Sequence, residues 1–156
     1  MGAGVQDNGA RRRRFDPVNL PALSDAAVSW QRVNTCAVAT PTSALIGFVT
    51  DALFAESLEP VGEVLLVRHR PGDSGLPPAD GRGNFRFALD LAGPSSSLWG
   101  GTLLFMDETG RGSGWRAEAG ALTVWSGTDP ELTELVPGAV ERLTLIGVAR
   151  SFTEQP

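Results

Sequence analysis

At 156 residues, 42% of them hydrophobic, the chain is long enough for one domain with a sizeable core. A formal net charge of −5 argues against general nucleic-acid affinity, and no run approaches the ~18 consecutive apolar residues of a membrane span. The 19 Gly and 11 Pro favour a strand-rich fold with many turns over a helix bundle.

There is no Lys and no Tyr, so all 13 basic residues are Arg. This fits a GC-rich, bacterial-type coding bias better than a mechanism. Cys36 is the only cysteine, which excludes an intrachain disulfide and a cysteine-based zinc site. It reads as a small, partly buried packing residue.

In chain order, residues 1–14 are polar and Gly-containing and end in Arg11-Arg12-Arg13-Arg14. That composition predicts a disordered basic tail, although short arginine runs also bind polyanions. No apolar run follows it, so it is not the start of a signal peptide, and a cytoplasmic location is expected. Residues 15–156 are expected to form a single domain. Phe15 to Leu23 carries Pro17 and Pro21 and reads as extended, and Ser24 to Val28 as a short helical turn. Trp30 to Thr40 reads as strand or irregular.

The clearest helix spans residues 41–58. Thr40 suits its N-cap and Pro41 its first position. Leu45, Phe48, Val49, Ala52 and Leu53 form one apolar stripe, and Pro60 and Gly62 end it.

Strands follow. Val64 to Arg70 is the first, and Pro71 to Gly83 is a long loop of the kind that carries sites. Phe85, Phe87, Leu89 and Leu91 alternate with Arg86 and Asp90. Gly100 to Met106, Gly114 to Glu118, Ala121 to Trp125, Leu132 to Val136 and Arg142 to Arg150 complete the set. Trp99, Trp115 and Trp125 read as core or pocket wall. Many short strands with turn signals predict a sandwich or barrel.

The stretch Arg68-His69-Arg70-Pro71-Gly72 through Asp80, taken with Arg142, resembles the metal-site approach of the 2-oxoglutarate- and iron-dependent dioxygenases of the prolyl-hydroxylase type. In that family a strand ends in Tyr-x-Pro-Gly and a His-x-Asp metal pair follows. Leu89-Asp90-Leu91, Trp99-Gly100-Gly101 and Arg142-Leu143-Thr144 match later parts of its pattern, so the likeness covers roughly Val64 to Arg150. It implies a mainly β fold, a double-stranded β-helix (jelly roll), with the helix of residues 41–58 buttressing one sheet.

Carried over residue by residue, Asp80 matches the carboxylate metal ligand and Pro78 replaces the first His. Glu131, or else Asp129, stands near the place of the second His. Arg142 matches the arginine that grips the distal carboxylate of 2-oxoglutarate, Thr144 its assisting hydroxyl, and His69 replaces a Tyr beside it. The residues also allow an internal partner for Arg142, with Asp80, Glu131 and Glu134 as candidates, or simple exposure of Arg142, and a purely structural His69. Asp80 with Glu131 could hold a hard divalent cation weakly, or Asp80 could cap a turn before Gly81.

A non-haem Fe(II) oxygenase site needs two His and one carboxylate, and this chain has one His. The expectation is therefore a non-catalytic 2-oxoglutarate oxygenase-like protein, with no resident cofactor and no iron. It would serve as a scaffold or regulatory subunit, in a homo-oligomer or with an active oxygenase, or bind a small dicarboxylate such as 2-oxoglutarate. The alternative is a repurposed or composite-site enzyme of that superfamily, running acid–base chemistry on His69, Asp80 or Glu131. A third option is a jelly-roll binding module that is similar in architecture alone. No nucleic-acid or membrane partner is expected.

Overall fold

The computed structural model describes residues 11–21, 28–33, 35–77, 85–92, 103–106, 112–116, 118–126, 131–133 and 141–152. Among the described residues ten strands and one α-helix run in the order β1 (Arg11–Arg14), β2 (Gln31–Val33), β3 (Cys36–Ala39), α1 (Ser43–Phe54), β4 (Leu58–His69), β5 (Phe85–Ala92), β6 (Leu103–Met106), β7 (Gly112–Trp115), β8 (Ala121–Ser126), β9 (Glu131–Thr133) and β10 (Arg142–Ser151), with a 3-10 turn at Pro17–Asn19. Seven form an antiparallel sheet in the order β1-β8-β5-β10-β4-β3-β2, and three form a second sheet, β7-β6-β9. This is the mainly β, double-stranded β-helix architecture that the resemblance implies, with one helix. Among the described residues no helix is long and apolar enough to cross a membrane.

The helix is shorter than its sequence pattern suggests. Its N-cap is Thr42, whose side chain accepts from the Leu45 N–H, rather than Thr40. It ends at Phe54, because Ser57 takes a positive φ of 63° and Leu58 already belongs to β4. Leu45, Val49, Ala52 and Leu53 are buried on one stripe. They pack on Leu66, Phe87, Leu89, Leu122, Val124 and Leu145 from four strands. Each buried Leu or Val there contributes about 2 kcal/mol of transfer free energy.

The register fixes what the opposite face of the sheet carries. Period-two alternation puts Val67 and His69 of β4, Ala88 and Asp90 of β5, Thr123 and Trp125 of β8, and Arg142, Thr144 and Ile146 of β10 on it. Cys36, Val38, Val67, Ala88, Trp125 and Ile146 form its apolar part. In the same layer Arg86, Asp90, Thr123, Arg142, Thr144 and His69 are all buried. Both faces of this sheet are thus interior, one apolar and one mixed.

The N-terminal arginines correct the sequence reading. Arg11–Arg14, expected as the end of a disordered tail, form edge strand β1, paired with Val124 to Ala121 of β8. Alternation separates their roles. Arg11 and Arg13 lie on the helix side, and both reach Glu56 just beyond α1. Arg12 turns to the other side and its side chain is only 4% exposed. A cationic edge strand also discourages further strand addition. Residues 1–10 and 22–27, the latter holding most of the predicted Ser24–Val28 turn, lie outside the described residues.

Candidate functional site

Among the described residues, the mixed face gathers Arg12, Arg142 and Thr144 around one buried carboxylate, Asp90. Thr144 and Asp90 are register partners on β10 and β5, and Arg142 precedes Thr144 on the same face. Arg142 donates to Asp90 Oδ1 from Nε at 3.2 Å and from Nη2 at 2.9 Å. The Thr144 hydroxyl donates to the same oxygen at 3.3 Å. Asp90 Oδ2 accepts the Glu118 backbone N–H at 3.1 Å and lies 3.9 Å from Arg12 Nη2. Arg12 is held independently, through Nε to Thr123 Oγ1 at 2.8 Å and Nη1 to the Arg116 carbonyl at 2.6 Å. Burial pulls the Arg12 pKa down, against the attraction of Asp90.

Asp90 was not among the partners the sequence suggested for Arg142. Its alternation with Phe87, Leu89 and Leu91 suits a strand with one solvated face, and here that face is buried. A buried guanidinium left unpaired would be costly, so the inward arginine did signal some carboxylate. It did not say which one.

His69 is the cross-strand partner of Arg142 and is 1% exposed. Its Nε2 lies 2.6 Å from the Gly75 carbonyl, which makes Nε2 the protonated nitrogen and leaves Nδ1 as an acceptor. Among the described residues, Nδ1 has no hydrogen-bond partner. Burial lowers the His69 pKa; the Gly75 carbonyl opposes that, Arg142 adds to it, and Asp73 and Asp90 oppose it.

The segment after β4 is stitched down over this face. Asp73 accepts the Arg70 N–H at 2.8 Å and a two-pronged contact from Arg32, at 3.1 and 3.2 Å. Thr35 Oγ1 donates to the Ser74 carbonyl, and Arg86 Nη2 to the Pro77 carbonyl at 3.1 Å. Burial would raise the Asp73 pKa, but the Arg32 and Arg70 donors outweigh it and the net shift is downward.

These two shifts act in separate pH windows. An unfolded His takes up its proton near pH 6.5, while folded His69 stays neutral to lower pH. The unfolded state then binds more protons, so stability falls as pH drops below about 6.5, until folded His69 also protonates. Asp73 contributes stability that is present above about pH 4 and is lost as pH falls through its depressed folded pKa. Urea midpoints at pH 7.5, 6.5, 5.5 and 4.5 should decline in wild type and decline less in His69→Gln. Parallel curves would contradict a depressed His69.

The structure thus brings His69, Arg142 and Thr144 to one face. Pro78, Asp80, Asp129 and Glu134 lie outside the described residues, as does the side chain of Glu131, whose backbone starts β9. Trp99 also lies outside them, as does the Trp115 side chain. Trp125 is fully buried in the mixed face. Cys36 is buried, and burial raises its thiol pKa, consistent with packing.

The residues do not fit a two-histidine, one-carboxylate iron centre. The single His has its Nε2 directed to Gly75 O, and no group of three or more His, Cys, Asp or Glu among the described residues is placed to hold a metal. Arg142 and Thr144, the pair matched to a carboxylate anchor, both donate to Asp90. On the helix side of β1, a cleft of about 300 Å³ is lined by Arg11, Arg12, Arg13, Glu56, Leu122 and Val124. Arg11 and Arg13 are there engaged by Glu56.

No protein-family model matches the sequence, and no curated protein matches it. Among solved structures, the crystal structure of a Pseudomonas putida prolyl-4-hydroxylase is similar, with a TM-score of 0.58 and 19% identity. The match covers 80% of this chain and 78% of that one. What the chain shares with that enzyme is the double-stranded β-helix fold.

Proposed function

We propose that the protein is a non-catalytic 2-oxoglutarate/Fe(II) oxygenase-like protein, acting as a scaffold or regulatory subunit rather than as a dioxygenase or a small-carboxylate receptor. The observation that carries this reading is the Arg142–Asp90 pair. A ligand carboxylate arriving at Arg142 would have to displace a tethered one that already holds the guanidinium and the Thr144 hydroxyl. The single His of the sequence supports the same reading from the metal side. The partner this reading implies is a second protein chain, either another copy or an active oxygenase.

The test is thermal unfolding of the wild-type chain with 2-oxoglutarate or succinate, each with and without Mn²⁺, together with the iron content of the purified protein. A ligand that binds only the native state raises the midpoint by mass action. The expected result is no shift in any condition and no stoichiometric iron. A shift with 2-oxoglutarate alone would return the pocket to a carboxylate-binding role. A shift requiring Mn²⁺, or one tightly bound iron per chain, would favour the repurposed or composite-site enzyme.

A further inference from the structure

Glu118, Arg142 and Thr144 all donate to the Asp90 carboxylate. The donors come from distant parts of the chain: Glu118 is 28 residues away, Arg142 52 and Thr144 54. Each is positioned by something other than the Asp90 side chain. Arg142 and Thr144 are held by the pairing of β10 with β4 and β5. Arg12 is held by Thr123 and the Arg116 carbonyl. The turn carrying Glu118 is tied to the backbone of Asp90, through the Gly120 N–H donating to the Asp90 carbonyl at 2.8 Å. That bond survives any substitution of the side chain. Arg142 and Asp90 are 2% and 1% exposed, so the site is walled from solvent.

We infer that this cradle is a carboxylate-binding site occupied in cis by Asp90, and that it takes a free small monocarboxylate once the Asp90 side chain is removed. Stoichiometry names the ligand. Asp90→Ala deletes one carboxylate group and leaves room for formate, and Asp90→Gly deletes a CH₂–carboxylate and leaves room for acetate. Either deletion leaves the Glu118 N–H, the Thr144 hydroxyl and the Nε and Nη2 donors of Arg142 facing a buried gap that a carboxylate would refill. In the wild-type chain the tether gives Asp90 a high effective concentration, so free carboxylates have no effect.

The experiment compares wild type, Asp90→Ala, Asp90→Gly, Asp90→Asn and the double variant Asp90→Ala/Arg142→Met. Each is melted in sodium formate, in sodium acetate and in sodium chloride of equal ionic strength. Asp90→Ala is expected to gain about 4 °C at a formate concentration roughly tenfold above its dissociation constant, and less in acetate. Asp90→Gly should respond to acetate. Wild type and Asp90→Asn, whose side chain fills the gap, should show no formate-specific shift, and the double variant should lose most of it. If Asp90→Ala is unfolded in chloride, folding induced by formate and not by chloride is the equivalent positive result.

Several outcomes overturn the inference: no formate-specific effect on melting or refolding of Asp90→Ala, an equal effect of chloride, or an equal effect on wild type. The inference rests on the self-paired Arg142 of the preceding section, but the two fail separately. A wild-type response to 2-oxoglutarate sinks that reading, whereas indifference of Asp90→Ala to formate sinks this one.

Discussion

Arg142→Met is expected to cost about 3–5 kcal/mol of stability, equivalent to a fall of about 10 °C in the unfolding midpoint of a chain this size. The magnitude follows from what is left behind, not from what the pair contributes. Asp90 would keep the Glu118 N–H and the Thr144 hydroxyl, but among the described residues its nearest remaining cation is Arg12 at 3.9 Å. An ion stranded at 1% exposure cannot recover its hydration. Asp90→Asn should cost a comparable amount by the reverse route, since it leaves Arg12 and Arg142 together without their shared anion. The pair as a whole is a different matter. Replacing a buried ion pair by apolar groups of similar volume is often neutral or better. Arg142→Met/Asp90→Leu should therefore cost less than the sum of its single changes, by at least about 1.5 kcal/mol. Urea unfolding of the four proteins in the cycle measures that difference. Additive losses would mean that the two side chains do not share their energetics, and the central role given to this pair would fall.

How far the sequence foretold this arrangement depends on which physical signal each part emits. The helix stripe, the Phe85–Leu91 alternation and the apolar stretches of β4 and β10 are local, period-driven signals, and the structure carries them with shifted ends. Residues 40–42 show the limit of such local signals. Thr40-Pro41 and Thr42 are all plausible starts, and the hydrogen bond to the Leu45 N–H selects Thr42. The polar site was half legible. The inward placement of Arg142, Thr144 and His69 came with the family pattern, but the identity of Arg142's partner depends on the register of β5 against β10. No local period encodes that register. Alternation reports two faces without reporting that both are buried, and so it did not mark Asp90 as a buried partner for Arg142. Arg12 was missed for a related reason. Four consecutive arginines look like a solvated run, and only the pairing with β8 separates the two that hold Glu56 from the one that turns inward.

Gly120→Ala is expected to be as damaging as the loss of Arg142, at about 4 kcal/mol, although it alters no charged group. Gly120 sits at φ +90°, where a residue with a Cβ is strained by roughly 1–3 kcal/mol. A Cβ built there would stand 2.1 Å from the Phe15 carbonyl oxygen, 3.2 Å from its carbon and 3.6 Å from Pro17 Cδ. The first obstacle is backbone, so relief requires moving the chain, at a further cost of about 1–3 kcal/mol. The part that must move is specific. Phe15 follows β1 directly, and its N–H donates to the Gly120 carbonyl at 2.7 Å, while the Gly120 N–H donates to the Asp90 carbonyl at 2.8 Å. Gly120 therefore joins the exit of the arginine strand to the strand that carries the buried carboxylate. Displacing Phe15 should draw Arg12 away from Asp90 and Thr123, so Arg12→Met should cost clearly less in a Gly120→Ala background than in wild type. Gly47→Ala is the matched control. A Cβ there meets nothing within 4 Å, and within α1 it should stabilise by about 0.5–1 kcal/mol. If Gly120→Ala costs less than about 1 kcal/mol, or Arg12→Met costs the same in both backgrounds, β1 is not anchored through this corner. The route by which the N-terminal arginines reach the buried carboxylate would then need another explanation.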